Sequence, residues 1–383
     1  MKKDKICVIF STSLSIKTLY VGQVDYLVSH GFDVSVIASP GNEHEIILQE
    51  GGRSVPIPIE RNPDVVKDFF SLIKVWLHFL SNRYDLIIIS TPKASLIGGL
   101  AAYFSLHKNV LFVVRGRAYE NFTGKKYTAY KFLDKVICSI ASNVQFISNE
   151  MMESYISEKV CINDKAIVLG SGSSKGVDTS FFSKSNFSQK ENNDLKNLLE
   201  IEPDDFVWLY CGRVRKDKGI NELVKAFLEL REKNTKHKLI LVGPYEDWDP
   251  IENEVLKEIF NNPAIKYIEW SDSIPSYMAI SNVFVFPSYR EGFGNVAIEA
   301  SSMELPVIAF NVIGCRESVK HGVSGILLDS LDYKSLSNAM FDLSNDKELL
   351  DRISYQGRQW VLTNFDREIV LGRNVDLYKD IIN

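Results

Sequence analysis

The sequence has 383 residues, of which 45% are hydrophobic and 24% charged, and its formal net charge is −5. This length suits two domains better than one core, and this composition excludes a disordered or low-complexity protein. We expect no nucleic-acid partner, since the overall charge does not favour one.

The five cysteines are scattered and form neither a metal-binding pair nor a disulfide framework. We therefore expect reduced thiols in a cytoplasmic protein. The first residues, MKKDKICVIFSTSLSIK, lack the pattern of a signal peptide and are predicted to begin with a strand. No apolar run is long enough for a membrane-spanning helix, so any membrane contact is expected to be peripheral, at the inner face of the cell membrane through the N-terminal domain.

Charge is unevenly divided between the two halves of the chain. Residues 1–178 carry 20 Lys and Arg against 17 Asp and Glu, whereas residues 179–383 carry 24 against 32. The first half is therefore better suited to an anionic surface or ligand, although ordinary scatter explains so small an imbalance equally well.

Short apolar runs alternate with amphipathic stretches through the first half. The predicted strands are, in order, KICVIF, DVSVIAS, RSVPIPI, YDLIIIS, NVLFVV, NVQFIS and KAIVLG. Residues 64–80 are predicted to form a helix, with one face marked by Val65, Phe69, Leu72, Ile73, Trp76 and Leu80. This aromatic helix fits a core position and a membrane-facing position equally well.

A second series of strands follows in the second half. These runs are DFVWLYCG, HKLILVG, AIKYIEW, VFVFPS, LPVIAF and GILL. Strands that are apolar on both faces and joined by helices predict parallel sheets covered on both sides, so the fold class is α/β with two tandem doubly wound domains. We place the boundary in the Gly- and Ser-rich segment 170–194 and expect the ligand site in a cleft where the carboxyl edges of the two sheets face each other.

The segment SYREGFGNVAIEASS, which follows VFVFPS, carries two glutamates eight positions apart, Glu291 and Glu299. Asn295 is the predicted N-cap of the next helix, so the glycines before it lie in a strand-to-helix loop suited to a phosphate group. Glu299, about one turn into the helix, suits the two hydroxyls of a ribose, and Glu291 suits hydroxyls of a sugar attached to the phosphate. The alternative is that Glu291 is a surface charge and that Glu299 only interacts with the helix dipole.

The segment LYCGRVRKDKGINELVKAF carries a second cluster of charge. Arg213 and Lys218 lie in a strand-to-helix loop at the same predicted sheet edge, where cations neutralise a diphosphate without a metal. The alternative is that Arg213, Arg215, Lys216 and Lys218 form a solvated basic loop.

These segments, together with LVGPYE, GVDTSFF and PVIAFNVIGCRESVKHGVSGILL, resemble the family 4 glycosyltransferases of the GT-B fold, and PSYREGFGNVAIEA matches the E-x7-E motif of that family. The resemblance implies an acceptor-binding domain at 1–175, a nucleotide-sugar-binding domain at 176–365, and a C-terminal helix at 366–383 that packs back on the first domain. It implies that Arg213 and Lys218 hold the donor diphosphate, that Glu299 holds the ribose, and that the donor sugar is surrounded by Glu291, Gly292, Phe293, Gly294 and Asn295. Many relatives have a Gly-Gly pair where this chain has Ile313-Gly314-Cys315.

The first domain resembles the branch of the family that extends lipid-linked glycans in bacterial surface polysaccharide assembly. The similar segments are STSLSIKTLYVGQ, STPKASLIGG and VVRGRAYENFTGKKY. On this resemblance Lys93, Arg115 and Arg117 meet the acceptor diphosphate, and Glu120 contacts the acceptor sugar or acts as base. Relatives often have His where this chain has Arg115. The alternatives are solvated charge for Lys93 and Arg117, and for Glu120 an ion pair with Arg117.

The resemblance thus predicts a retaining enzyme that moves a sugar from a nucleotide-diphosphate sugar, with UDP expected, to a sugar hydroxyl of a polyprenyl-diphosphate-linked glycan. The donor is a substrate, and we expect neither cofactor nor metal. Asp247-Trp248-Asp249 has the DxD spelling of a metal site but is predicted to be an exposed loop. The alternatives are a nucleotide-sugar epimerase or hydrolase of the same architecture, and a non-catalytic nucleotide-sugar-binding module.

Overall fold

The structure is a computed structural model that describes residues 3–60 and 64–383. The chain divides into two compact units. The first comprises Met1–Lys175 together with Glu368–Asn383, and the second comprises Gly176–Arg367.

The first unit contains a parallel sheet of seven strands within the described residues, in the spatial order β3-β2-β1-β4-β5-β6-β7. The strands are β1 (Lys5–Ile9), β2 (Asp33–Ala38), β3 (Arg53–Pro56), β4 (Leu86–Ser90), β5 (Val110–Val114), β6 (Asn143–Phe146) and β7 (Ala166–Val168). Their connections contain α1 (Leu14–Leu19), α2 (Gln23–Ser29), α3 (His44–Gln49), α4 (Val65–Ser81), α5 (Pro92–Phe104), α6 (Gly124–Ile140) and α7 (Asn149–Ser157).

The second unit contains a parallel sheet of six strands in the part of the chain that is described, in the order β10-β9-β8-β11-β12-β13. The strands are β8 (Phe206–Cys211), β9 (His237–Val242), β10 (Ile265–Ile268), β11 (Val283–Phe286), β12 (Val307–Phe310) and β13 (Gly325–Leu328). The helices are α8 (Gln189–Leu198), α9 (Ile220–Lys233), α10 (Asn253–Asn261), α11 (Ile274–Ala279), α12 (Asn295–Ser302), α13 (Cys315–Ser318), α14 (Tyr333–Asn345) and α15 (Lys347–Asn364).

The strands are apolar on both sides because helices cover both faces of each sheet. In β8 the neighbouring residues Trp208 and Leu209 belong to core clusters on opposite faces, and both are fully buried. The predicted fold class, α/β with two tandem doubly wound parallel sheets, is therefore confirmed.

A final helix, α16 (Arg367–Ile382), follows the second unit in sequence and packs in the first. Its residues Val370, Leu371, Val375 and Tyr378 are buried. Asn374, also buried, accepts a hydrogen bond of 2.9 Å from the amide of Gln145 in β6. The first unit is thus built from two separate stretches of the chain.

The buried face of α4 differs from the predicted one. Ser71, Val75 and Phe79 face the interior at helical spacing. Val65 and Phe69, which mark the predicted face, are instead exposed. A helix with apolar residues on both sides has no unique core face in sequence, and the sheet beneath it decides which side is buried.

No helix in residues 3–60 or 64–383 is both long enough and apolar enough to cross a membrane.

Candidate active site

Two loops of the second unit meet where its strand order reverses. The chain leaves β8 towards β9 on one side and leaves β11 towards β12 on the other, so the loops that follow β8 and β11 lie side by side at the carboxyl edge. Here the ammonium of Lys218 lies 2.6 Å from a carboxylate oxygen of Glu291, although the two residues are 73 positions apart. The sheet topology therefore brings together two residues that sequence analysis places in separate motifs.

Lys218 is held by several groups besides Glu291. Its ammonium donates to the carbonyl of Arg290 at 3.3 Å and to the hydroxyl of Ser288 at 3.4 Å. The side chain is only 11% exposed, and that of Glu291 only 17%. Lys218 is therefore not a solvated surface charge, and its position is fixed by the loop after β11.

Gly219 allows the two loops to touch. It ends a short 3-10 turn over Lys216–Lys218 and starts α9 with φ +69°. A Cβ atom at this position would collide with the carbonyl of Pro287, the residue that follows β11 by one position. Only glycine combines this left-handed conformation with this close approach.

Asp217 connects three loops of this site. Its carboxylate pairs with Arg215 at 2.5 Å and with Arg290 at 3.3 Å, while its backbone N–H donates to the carboxylate of Asp249 at 2.8 Å. Sequence reasoning misses Asp217 and Arg290 because each is one charge among several in a basic loop. The alternating signs of RKDKG and YREG are the only signal in the sequence.

Arg213 and Arg215 have different environments. Both guanidinium groups pair with Glu246, at 3.6 Å and 3.2 Å respectively. The side chain of Arg215 is 5% exposed and lies 4.5 Å from the centre of the Trp248 ring, whereas that of Arg213 is 42% exposed. Arg215 is therefore a structural residue, and Arg213 is the arginine of this loop that a ligand can reach.

The helix that carries Glu299 begins one residue earlier than its predicted cap requires. Its N-cap is Gly294, with φ +83°, and Asn295 is its first residue, so the predicted N-cap at Asn295 is wrong. A glycine in the left-handed conformation ends the preceding turn, and the free amides of the first helical turn follow it. Glu299 lies in the second turn of this helix and is half-buried.

The loop between Glu291 and α12 is anchored from both sides. The side chain of Phe293 is buried and packs edge-on against Phe365 at a ring distance of 5.5 Å, so that only its main chain is available to a ligand. Gly314, in the loop after β12, lies against the main chain of Glu291. Among the predicted donor residues, the structure thus places Gly292, Phe293, Gly294 and Asn295 on one strand-to-helix turn beside Glu291.

The Asp247-Trp248-Asp249 loop lies beside the loop after β8. Asp247 and Trp248 are exposed, as predicted for a loop, while Asp249 accepts the hydrogen bond from the N–H of Asp217. The backbone N–H of Lys216 also donates to the Asp249 carbonyl at 3.0 Å. Asp249 thus holds the turn that carries Lys218. Among the described residues, no group of three or more His, Cys, Asp or Glu side chains is arranged to hold a metal ion.

Arg115 follows β5 in the first unit and is held by hydroxyl groups. Its guanidinium donates to Ser90 at 2.8 Å and also to Ser174. Burial lowers the pKa of Arg115 below its ordinary value, because the charged form loses hydration, and the phenols of Tyr20 and Tyr378 are among its electrostatic neighbours. A guanidinium in such surroundings has donors suited to an anionic ligand.

The other predicted acceptor residues are held in ion pairs. Lys93 lies 2.6 Å from Asp68 of α4. Arg117 pairs with both Glu120 and Glu158, the latter at 3.3 Å. The structure therefore brings Arg117 and Glu120 together, in the ion pair that sequence analysis gives as an alternative, while Lys93 and Arg115 follow different strands and have other partners.

Comparisons with known proteins relate both units to one family. The profile described as "Glycosyltransferase Family 4" matches residues 20–172, and the profile described as "Glycosyl transferases group 1" matches residues 191–360. The chain is 32% identical to the capsular polysaccharide biosynthesis glycosyltransferase CapM of Staphylococcus aureus, over 100% of this chain and 98% of the relative.

Two further proteins are similar over nearly the whole chain. One is the Escherichia coli UDP-Gal:alpha-D-GlcNAc-diphosphoundecaprenol alpha-1,3-galactosyltransferase, which is 25% identical over 94% of this chain and 92% of the relative. The other is the crystal structure of Anabaena HepE in complex with UDP-glucose. It has a TM-score of 0.80 and 19% identity over 98% of this chain and 99% of HepE, and it shows that the two proteins share a fold.

Proposed function

Because the chain belongs to the family 4 glycosyltransferases, we propose that it transfers a sugar from UDP to a sugar hydroxyl of a polyprenyl-diphosphate-linked glycan, with retention of anomeric configuration. The observation that carries this proposal is the meeting of Lys218 and Glu291 at 2.6 Å where the strand order of the second sheet reverses. Open α/β sheets bind their ligands at such a point.

The donor is assigned to the loops after β8 and β11 of the second unit. Lys218 and Arg213 neutralise the diphosphate, the amides at the start of α12 add a fixed positive field, and Glu299 accepts hydrogen bonds from the ribose. Glu291 accepts hydrogen bonds from the donor sugar, and its pairing with Lys218 sets the direction of its carboxylate. The choice of UDP follows the E. coli relative and the HepE complex, whose names specify UDP-linked donors.

Catalysis in this proposal is chiefly electrostatic. Negative charge grows on the leaving diphosphate as the glycosidic bond breaks, and fixed cations that need no reorganisation stabilise that charge. The remaining requirement is to hold the acceptor hydroxyl close to the anomeric carbon on the face from which the diphosphate departs. No protein nucleophile is then obligatory.

The acceptor diphosphate is assigned to the first unit, with Arg115 as its main ligand. Arg115 is held by two serine hydroxyls, whereas Lys93 and Arg117 are already neutralised by carboxylates. A lipid-linked acceptor follows the E. coli relative, whose name specifies a diphosphoundecaprenol glycan. Arg117 and Glu120 then shape the site as an ion pair, and a base role for Glu120 would require this pair to open.

A donor panel followed by product analysis tests the proposal. Thermal shifts are first measured with UDP, GDP, ADP and TDP, because a nucleotide at 100 times its dissociation constant adds about 2.7 kcal/mol of stability. The UDP-sugars that bind are then incubated with polyprenyl-diphosphate glycans, and the anomeric configuration of the product is read by NMR. We expect UDP to give the largest shift and transfer to occur with retention.

Other outcomes identify the alternatives. Release or isomerisation of the donor sugar without acceptor would indicate a hydrolase or epimerase, and nucleotide-sugar binding without turnover on any lipid-linked acceptor would indicate a binding module. An inverted product would overturn the mechanism of retention while leaving the donor assignment in place.

A further inference from the structure

We propose that Cys138 and Cys161 form a redox-active thiol pair, which hydrogen peroxide closes to a reversible disulfide. Both thiols are unbridged and buried. Cys138 lies in the last turn of α6, and Cys161 lies in the turn between α7 and β7. The two side chains nevertheless share a hydrogen bond. Packing of the end of α7 against α6 thus makes a pair that the scattered cysteines of the sequence do not reveal.

Hydrogen bonds on both sides fix Cys161 beside α6. The backbone N–H of Cys161 donates to the carbonyl of Tyr155 at 3.2 Å. The hydroxyl of Tyr155 donates at 2.8 Å to the carboxylate of Asp134, one turn before Cys138 in α6. On the other side, the ammonium of Lys165 donates to the carbonyl of Cys138 at 3.3 Å. The segment that carries Cys161 is therefore tied to α6 at Cys138 and one turn before it.

The two thiols differ in how readily they ionise. The hydrogen bond to Cys161, together with burial, raises the pKa of Cys138. The same hydrogen bond lowers the pKa of Cys161, against the effect of burial, and the positive charge of Lys165 lowers it further. Because the thiolate is the nucleophile, Cys161 is the sulfur that reacts first, while Cys138 keeps its proton.

The oxidation takes place in two steps. The thiolate of Cys161 attacks one oxygen of hydrogen peroxide, the O–O bond breaks, and a sulfenic acid and hydroxide form. The hydroxide takes the proton of Cys138 and becomes water, and the new thiolate attacks the Cys161 sulfur. The S–O bond breaks, a second hydroxide leaves, and the disulfide forms. The two sulfurs lose two electrons and the peroxide gains them, and an external dithiol reverses the reaction by thiol exchange.

The geometry favours both steps. Cys161 lies just below the surface, because residues 162–164, which follow it, are exposed, and hydrogen peroxide is small enough to reach a thiol there. Thiols that are already in contact can form a disulfide with little backbone movement. A zinc ion is the other partner that two thiols suit, but structural zinc takes four ligands. In residues 3–60 and 64–383 no group of three or more His, Cys, Asp or Glu side chains is arranged to hold a metal ion.

The disulfide adds a covalent link to an existing contact between helices. Lys131 lies two turns before Cys138, on the same side of α6, and its ammonium pairs with Glu158 at 2.7 Å. Glu158 also pairs with Arg117 at 3.3 Å. Oxidation therefore fixes the contact between α6 and the end of α7 that holds a partner of Arg117. No donor loop takes part, so failure of this inference leaves the proposed transfer reaction untouched.

Peptide mapping of the full chain tests the proposal. The reduced protein is treated with hydrogen peroxide and then denatured, and its remaining thiols are alkylated before digestion. Trypsin cuts after Lys135, Lys159 and Lys165, so the two cysteines fall in separate peptides, 136–159 and 160–165. We expect mass spectrometry to find these peptides joined after peroxide treatment and separate after dithiothreitol. Failure to find the joined peptides in the wild type would overturn the proposal, whatever the variants do.

Single variants test the order of the two steps. Cys138→Ala should stop at the sulfenic acid of Cys161, which dimedone traps, whereas Cys161→Ala should give neither the sulfenic acid nor the link. Cys7→Ala changes another buried thiol of the first unit and should form the link as the wild type does. A sulfenic acid trapped on Cys138 would overturn the assignment of Cys161 as the nucleophile.

The rate of oxidation tests the contribution of Lys165. Lys165→Met should slow formation of the link roughly threefold to tenfold, because a smaller fraction of Cys161 is then thiolate. Lys135→Met changes an exposed lysine of α6 and should leave the rate unchanged. The loss of free thiols with time in peroxide measures both rates. Equal rates for the two variants would remove Lys165 from the site.

Discussion

Glu299 is the residue whose proposed role is easiest to isolate, because ribose hydrogen bonds are made equally before and during the reaction. Glu299→Gln is expected to weaken UDP binding by about 2–4 kcal/mol, through loss of a charged acceptor, and to change kcat little. Titration calorimetry with UDP measures this loss of binding free energy. Glu232→Gln, an exposed glutamate of α9, is the matched control, and equal affinities for the two variants would remove the ribose assignment.

Lys218 is expected to act on turnover more than on binding. Lys218→Met should lower kcat at saturating donor by on the order of 100- to 1,000-fold, because charge on the leaving diphosphate is then uncompensated. Lys216→Met changes an exposed lysine of the same loop and should stay close to wild type.

The partner of Lys218 allows stability to be separated from catalysis. Lys218→Met leaves Glu291 largely buried and without its ammonium partner, so the melting temperature should fall. Adding Glu291→Gln removes the unpaired charge and should restore stability without restoring kcat. Recovery of kcat in the double variant would show that Lys218 serves Glu291 and not the diphosphate.

The donor loops form a single connected element because charged side chains cross between them. Asp217→Asn breaks the pairs with Arg215 and Arg290 but keeps the backbone contact to Asp249. We expect kcat to fall about tenfold together with a rise in KM for the donor, since misplacing a catalytic group by a fraction of an ångström is costly. Asp247→Asn, a change to an exposed neighbour, is the control.

A structural role alone would give a different result for Asp217. If the residue only stabilised the fold, Asp217→Asn would lower the melting temperature and leave both constants of the folded enzyme unchanged. Asp217→Glu, which keeps the charge, should recover part of kcat if the carboxylate positions Lys218 and Glu291.

The Asp247-Trp248-Asp249 element bears on metal dependence. Asp249 already accepts a hydrogen bond from the loop that carries Lys218, and the proposed diphosphate site has fixed cations of its own. We therefore expect transfer to survive excess EDTA and Asp247→Asn to turn over normally. Loss of transfer in EDTA, with recovery on adding Mg²⁺ or Mn²⁺, would contradict this mechanism.

The fold class can be predicted from the sequence because a parallel sheet leaves a plain pattern. Runs such as LIII in β4 and VFVF in β11 are apolar at every position, and only strands covered on both faces tolerate this. The pattern of α4 is ambiguous for the opposite reason, since apolar residues surround the helix and nothing local says which of them are covered.

The site is less predictable because it depends on contacts between distant residues. Motif spacing indicates that Lys218 and Glu291 lie at one sheet edge, but not that they pair, which requires knowing that β8 and β11 are neighbours. The pairing of Lys93 with Asp68 depends in the same way on how α4 crosses α5. The N-cap of α12 differs from the predicted one for a local reason. Glycine and asparagine are both favourable N-cap residues, and the helix is capped by Gly294 and not by the adjacent Asn295.

At the scale of the whole molecule, α16 makes the first unit depend on a helix that follows the second unit in sequence. Tyr378→Ala removes a buried ring from the first unit and should cost on the order of 3–5 kcal/mol of stability, whereas Tyr355→Ala, at an exposed tyrosine of α15, should cost little. Thermal melting compares the two variants. Hydrogen exchange should rise in β1 to β7 and not in β8 to β13, and faster exchange in both sheets would contradict the assignment of α16 to the first unit.

The position of α16 also has a consequence for synthesis on the ribosome. Domains generally fold as they emerge, the N-terminal one first. Here the first unit emerges without the helix that supplies Tyr378 and the partner of Gln145, and it waits for that helix until all of the second unit has been translated. During this interval the nascent first unit exposes an apolar surface beside β6 that α16 later covers. A chaperone that binds nascent chains would bind this surface until α16 has been translated.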